Sequence, residues 1–510
     1  MRLRNVFRNS FFSVLSQVIL IIVGFFSQRV MNLRMGEELV GMNGVISNII
    51  SILSVSELGI SSAVIYHLYR ALAEKNEQKI SALMNLYRRA YYIFAAVITG
   101  LGLAVLPFVH LFLRENSFSL EYVRVIYCLW LARTVLSYLL SYKRSVLIAD
   151  QREYIVSIIT LAANVINYLS IIVIVELLQN YVLVLCINIM VEAVLNIWIS
   201  LYVDKKYPYL RKMKKEPLDK NIALNIWKDI KNIFVTRLST KLLSSTDNMI
   251  ISGFISVAAV GLYSNYCLIT QSLINIVTAL SNAVQPSVGN MFIEGNQEKN
   301  YQVLRQVTFV FFLLAAFASV CLFSLITPFV TDFWLGEKYQ LGPEIVVCCV
   351  INFFLLTIGM PLAMMMGVTG LFDKERNLSL IVAAANLMIS LILVKPLGIT
   401  GVLAGTFISY CIQIIFRIRV FFYRYLHMNC GRYISDMIQY CVIAAVETVL
   451  VYFVTAKIYQ KGSILSFLLI MVICAAAPNL FHFLIYRRSW RFQSLAGIVK
   501  KILRQSGERQ

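Results

Sequence analysis

The sequence predicts an all-α integral membrane protein with about fourteen transmembrane helices. They form two six-helix bundles related by a parallel repeat, plus two C-terminal helices, with both termini cytoplasmic. Three observations carry this reading. Of 510 residues, 59% are hydrophobic and only 14% charged, with a mean hydropathy of +0.74; so few charges cannot make the polar exterior a soluble fold of this length needs. Apolar segments of about 20 residues, each long enough to cross a bilayer, recur along the whole chain. Lys and Arg also concentrate in alternate loops, the asymmetry that orients membrane helices.

The apolar segments run over 10–30, 39–65, 90–113, 122–142, 154–175, 182–203, 232–254, 258–285, 306–328, 343–370, 377–394, 400–416, 437–456 and 463–486. Segment 39–65 is rich in Ser, Asn and Gly, so hydropathy alone passes over it; leaving it out would invert every later loop. The charges decide the matter. With the N-terminus inside, the cytoplasmic stretches 1–9, 66–89, 143–153, 204–231, 286–305, 371–376, 417–436 and 487–510 hold 35 of the 46 Lys and Arg. The outward loops hold 7, and Arg124, Arg133, Arg237 and Lys241 lie within spans. The opening Met1-Arg-Leu-Arg and its apolar run resemble a signal peptide, but no small-residue cleavage site precedes Gln28 and Arg29, so the run reads as a retained first helix.

The longest loop, 204–231, is strongly basic and follows the sixth span, which points to a duplication. Leu39-Val-Gly-Met42 matches Ala259-Val-Gly-Leu262, placing Gly41 opposite Gly261 at an offset of 220. Ala162-Ala-Asn164 matches Ala384-Ala-Asn386 at 222, and Asp150-Gln-Arg-Glu153 sits opposite Asp373-Lys-Glu-Arg376. An even number of spans per half makes the repeat parallel, with its axis along the membrane normal. The expected division is a bundle over 1–203, a basic cytoplasmic linker over 204–231, a second bundle over 232–436, and helices 13–14 with a basic tail over 437–510.

Polar side chains recurring every three or four residues share one helical face. In span 7, Arg237, Lys241, Ser244, Asn248 and Ser252 stay within roughly 80° of arc, with Asp247 at the edge. Span 2 does the same with Asn43, Ser47, Ser54, Glu57 and Ser61, and span 8 with Ser264, Gln271, Asn275, Thr278, Asn282 and Gln285. Span 1 carries Ser10, Gln17, Gly24 and Gln28. Four such helices would enclose a hydrated cavity; the plainer alternative is that the uncharged members bond helix to helix. The charged members cost roughly 2.5–3.5 kcal/mol at a helix centre and so normally face water or a partner. Lys241, Arg237 and Arg133 are therefore the cationic cavity candidates, with Asn248, Gln271 and Asn275 beside them. Asp247 and Glu57 either carry a coupling H+ or Na+ or balance Lys241 and Arg237. Glu192 and Glu447 are also intramembrane, outside those helices. Ten cysteines without CxxC or Cys/His spacing support neither zinc nor a disulfide framework, and no cofactor is expected.

The six, six and two layout, the polar second helix after Val-Gly-Met-Asn43, the Ala149-Asp-Gln-Arg152 turn and Gly398-Ile-Thr-Gly-Val-Leu-Ala-Gly405 resemble the polysaccharide-export branch of the multidrug/oligosaccharidyl-lipid/polysaccharide (MOP) superfamily, above all Wzx-type flippases. That resemblance implies a protein of the bacterial cytoplasmic (inner) membrane. By alternating access it would flip an undecaprenyl-pyrophosphate-linked oligosaccharide destined for O-antigen or capsule, its phosphates met by Lys241, Arg237 and Arg133. The implied partners are the lipid-linked oligosaccharide, membrane lipids, and a polysaccharide polymerase or glycosyltransferases, with no nucleic acid. A multidrug or cation exporter would favour carboxylates in the cavity, while composition leaves a lipid II flippase open. A glycan polymerase or ligase would need a sizeable external loop, and the longest outward connection is about 14 residues near 329–342, so no enzyme is expected. A membrane scaffold recruiting polysaccharide-assembly enzymes through the basic loop is the reading from another class; that loop is equally explained as a linker facing anionic lipid.

Overall fold

The computed structural model describes residues 2–54, 68–115, 117–150, 152–210, 238–294 and 296–497, apart from 70, 73, 240, 243, 244 and 496. The fold is all-α. Its helices are α1 (Arg2–Leu53), α2 (Glu77–Val105), α3 (Leu120–Ser141), the short α4 (Arg144–Ala149), α5 (Glu153–Leu178), α6 (Tyr181–Lys206), α7 (245–254), α8 (Val257–Glu294), α9 (Gln297–Pro328), α10 (Pro343–Val368), α11 (Phe372–Phe421), α12 (Gly431–Ile458) and α13 (Ile464–Tyr486). Two of these are pairs merged across a break, at Gly36 in α1 and at Gly398 in α11, so that with α4 set aside the described residues hold fourteen helices. Among the described residues, ten segments are long and apolar enough to cross a membrane. The segment α3 is not among them.

Each break occurs where the sequence places an outward turn. The loop expected over 31–38 is compressed into one residue, Gly36 at φ 81° and ψ 168°, a conformation that costs a side-chain-bearing residue strain. Gly398 (φ 59°) does the same in α11, just after Pro396. In the first half the corresponding turn has no glycine; Gln179 takes the left-handed conformation (φ 48°) and Asn180 caps α6 by accepting from the Leu183 amide at 3.1 Å.

By compactness the chain separates into two units, Met1–Asn265 with Ser379–Val402, and Tyr266–Leu378 with Leu403–Gln510. Inner denotes the end of each helix that the loop charges predict to be cytoplasmic, and outer the opposite end. In the first unit the inner turn between α3 and α5 is pinned to α6. Lys143 donates to both Asp204 carboxylate oxygens at 2.7 Å and to Ser200 at 2.8 Å, and Arg144 lies 3.3 Å from Glu192. Glu192, intramembrane by sequence, is thus a structural counter-ion. Tyr207 donates to Asp150 at 2.6 Å, and burial together with that carboxylate pushes its phenol well above the usual range, so it stays a neutral donor. In the second unit the matching turn does the same, Glu375 gripping Arg417 near the end of α11.

The inner end of the second unit is closed by Asp436, which accepts from Arg305 and Arg491, each at 2.7 Å, all three largely buried. Removing one partner of a buried ion pair strands the others. Asp436→Asn is expected to destabilise the protein by about 3 kcal/mol, read as a lowered midpoint of thermal unfolding in lipid nanodiscs.

In the first unit α1 and α8 cross at two glycines. A Cβ on Gly41 would land on the Val257 carbonyl oxygen and against the Gly261 amide, while one on Gly261 would land on the Glu37 carbonyl oxygen. One turn on, the Cβ position of Gly44 is 3.4 Å from the Ser264 hydroxyl. These contacts are reciprocal at the sequence offset of 220, since 37 answers to 257, 41 to 261 and 44 to 264. Beside the crossing, Asn265 accepts from Gln28 at 3.0 Å and from Asn32 at 2.8 Å. Part of the polar stripe of α1 thus joins helices, as small and amide residues commonly do in membranes.

Candidate functional site: a cationic and aromatic cluster around Arg133

Arg133 lies on α3 eight residues before Ser141, or roughly 12 Å along the axis from the inner end of the helix. Its guanidinium stands 5.4 Å from the centre of the Trp130 ring, one turn earlier on the same face. Trp130 is oriented in turn, its indole N–H donating to the Asn43 side-chain oxygen at 2.9 Å. The Tyr181 hydroxyl donates to the same oxygen at 2.6 Å. Tyr168 and Tyr181 both feel the Arg133 charge, and Gly24 leaves space for Tyr168, whose ring is 3.7 Å from where its Cβ would be. Residues from α1, α3, α5 and α6 thus converge on one guanidinium. Among the described residues no carboxylate pairs with Arg133, and its side chain is only partly buried. An arginine so placed offers its donors to an incoming anion, whereas Arg144 is already engaged by Glu192 and Asn196.

The other predicted residues are dispersed. Lys241, Asp247 and Asn248 are partly buried in the first unit, and Asn248 lies at the glycine crossing, its amide nitrogen 3.8 Å from the Cβ position of Gly44. Gln271 and Asn275 belong to the second unit, where they are exposed on α8 and bonded to each other at 3.1 Å. Arg237 and Glu57 lie outside the described residues. Arg124 is exposed. Sequence reading missed Trp130, Tyr168 and Tyr181; the available signal was the spacing of three between Trp130 and Arg133, which places an aromatic face beside a membrane-embedded cation.

The second unit contains an apolar groove of about 750 Å³ between the end of α11 and α12, lined by Ile414, Ile415, Ile418, Met437, Ile438 and Val442 among others, with Arg419 also in its wall. Among the described residues no group of three His, Cys, Asp or Glu could hold a metal ion.

No protein-family model and no curated protein matches the sequence. Solved structures do. The chain is similar to the lipid II flippase MurJ in an inward closed conformation, with a TM-score of 0.69 and 15% identity, over 94% of this chain and 99% of that one. It is also similar to an inward-facing multidrug resistance MATE transporter of the MOP superfamily (TM-score 0.61, 14% identity, 79% of this chain and 94% of that one). A Vibrio cholerae MATE transporter matches at a TM-score of 0.56 and 14% identity, over 83% of this chain and 100% of that one. The protein therefore carries the fold shared by the MurJ flippase and the MATE transporters.

Proposed function

We propose that this protein is a MOP-superfamily transporter that flips a polyprenyl-diphosphate-linked glycan across the bacterial cytoplasmic membrane. The observation that carries the reading is Arg133, a cation deep in the membrane, set among aromatic rings without an acidic partner among the described residues. A diphosphate supplies the missing counter-charge and can accept paired N–H donors from a guanidinium. Lys241 and Arg237 extend the same positive field along span 7 in this reading, with Asn248, Gln271 and Asn275 as polar contacts for cargo. The apolar groove of the second unit suits the lipid part of such a cargo. A cation exporter would gain nothing from this charge pattern.

Two cargoes remain in this class. Lipid II is favoured by the extent of the likeness to MurJ, which covers 94% of the chain against 79% for the inward-facing MATE structure. An O-antigen or capsular repeat unit is supported by the sequence patterns alone. In either case the proposed mechanism is alternating access between two parallel repeats, 1–203 and 232–436, with the basic linker, the C-terminal pair of helices and both termini on the cytoplasmic side. The reciprocal contacts of Gly41 with Gly261 and Gly44 with Ser264 support the repeat, since a two-fold axis brings equivalent residues face to face. Asp247 and Glu57 are the acids this reading assigns either to a coupling H+ or Na+ or to balancing Lys241 and Arg237.

The test is conditional depletion in the host with mass spectrometry of the lipid fraction. Accumulated lipid II with failing cell-wall synthesis supports the first cargo, and accumulated repeat units with lost surface polysaccharide support the second. Unchanged pools of both, in a strain without a second flippase, overturn the proposal.

A further inference from the structure

We propose that Glu447 and His482 form a reversible proton-binding site between α12 and α13, inside the second unit and independent of which glycan is carried. Both helices turn a regular face inward. On α12 the buried positions include Tyr440, Ala444, Glu447, Val451 and Thr455; on α13 they fall at every fourth residue, Ser466, Ile470, Cys474, Pro478, His482 and Tyr486. A carboxyl and an imidazole therefore meet in the core, Nε2 of His482 lying 2.9 Å from Oε2 of Glu447, with the residues 3% and 2% exposed. Such groups within the membrane are costly unless they share a proton, because only the one-proton state of the pair is neutral.

The surroundings differ on the two sides. Outward, the pair meets apolar side chains, Val320, Val451 and Cys474, with Leu325 and Ile473 packed around them. Inward it meets aromatic rings. The Phe312 ring centre is 5.3 Å from that of His482 and 4.3 Å from that of Tyr440, and the Tyr440 hydroxyl accepts from Arg491. The other titratable neighbours are Cys321 on α9 and Cys474 and Tyr486 on α13, while the charges of Arg305, Asp436 and Arg491 are bonded to one another at the inner end. Hydroxyls can pass a proton on where aliphatic side chains cannot, so the inner side is the route of exchange.

The same helix carries a weak point. Pro478, one turn before His482, has no N–H to donate to the Cys474 carbonyl, which the Cys321 thiol approaches at 3.7 Å instead. An apolar groove of about 210 Å³ touches Glu447 together with Leu450, Val451, Val454, Ile473, Ala477 and Phe481, so the carboxyl is not packed on every side. The step is a proton transfer without other chemistry. A proton on Glu447 or His482 passes to water on the inner side, leaving a carboxylate and a neutral imidazole; uptake from a hydronium ion reverses it. The lone carboxylate then draws water in, and α13 yields at Pro478, so proton occupancy holds α12 against α13. A proton fits this pair better than Na+, since hard cations take oxygen ligands and an imidazole nitrogen is not one.

Infrared difference spectra of the full chain in lipid nanodiscs, titrated between about pH 5 and 8, test the site. The wild type is expected to show a reversible carboxyl signal that is lost in Glu447→Gln and whose midpoint moves by roughly one pH unit in His482→Gln. The second variant keeps a hydrogen-bonding side chain, so the test survives if the first fails to fold. An unaltered signal in Glu447→Gln, no titrating carboxyl in the wild type, or a carboxyl change driven by Na+ at constant pH each overturns the proposal.

Discussion

Replacing Arg133 by glutamine is expected to abolish flipping while leaving a folded protein in the membrane. A hydrogen bond to a charged group contributes roughly 1.5–3 kcal/mol, so losing the guanidinium should weaken cargo binding by about 10- to 100-fold. Stability should fall little, because the cation–π contact to Trp130 is the interaction the structure gives Arg133, and such contacts are worth about 0.5–1 kcal/mol at accessible sites. Arg133→Lys should recover part of the function, since lysine keeps the charge and loses the planar fork. Complementation of a depleted strain, with the lipid-linked glycan pool and the protein level measured together, separates these outcomes. Full complementation by the glutamine variant would remove Arg133 from the cargo site. Trp130→Phe should give a smaller loss of the same kind, because the ring stays while its N–H to Asn43 goes.

The second large effect is expected at the glycine crossing. Gly41→Val and Gly261→Val each place side-chain carbon on a backbone carbonyl oxygen of the facing helix, which no rotamer change can relieve. Overpacking costs about 1–3 kcal/mol where neighbours can move, and here the neighbour is backbone, so expression and thermal stability should both drop. The paired variant should lose less than the sum of the two, because both residues sit at one crossing that opens once. Gly100→Ala is the control. A Cβ there meets nothing within 4 Å on α2, and alanine is the better helix former. If the Gly41 and Gly261 variants unfold at the temperature of the control, the close crossing is not a feature of the protein in its membrane.

Some of this was legible in the sequence because it depends on neighbours in the chain. Arg133 could be singled out from its position in an apolar segment, and Trp130 could have been, three residues away. The matching of Gly41 with Gly261 could be read from two short strings, but the contact between them could not, since it depends on how α1 and α8 cross. Asn43 could be placed on a polar face, but its two donors, Trp130 and Tyr181, are 87 and 138 residues away in sequence. Glu447 could be read as an intramembrane acid, but its pairing with His482 gave no signal, since an acid and a histidine on separate helices become a pair only through helix rotation.

What the sequence by itself determined was the membrane class, the fourteen helices and the distribution of charge among their loops. These are local quantities, since insertion is decided by the hydropathy of about 20 consecutive residues and by the charges at their ends. Tertiary structure decided which polar groups are spent and which remain. The Gln28, Asn32 and Asn265 side chains bond helix to helix, Arg144 is taken by Glu192, and Arg133 is left facing aromatic rings. A helical face presents the same stripe of polar residues whether a neighbouring helix or water lies against it, and only the crossing angles and rotations of the packed helices settle which it meets.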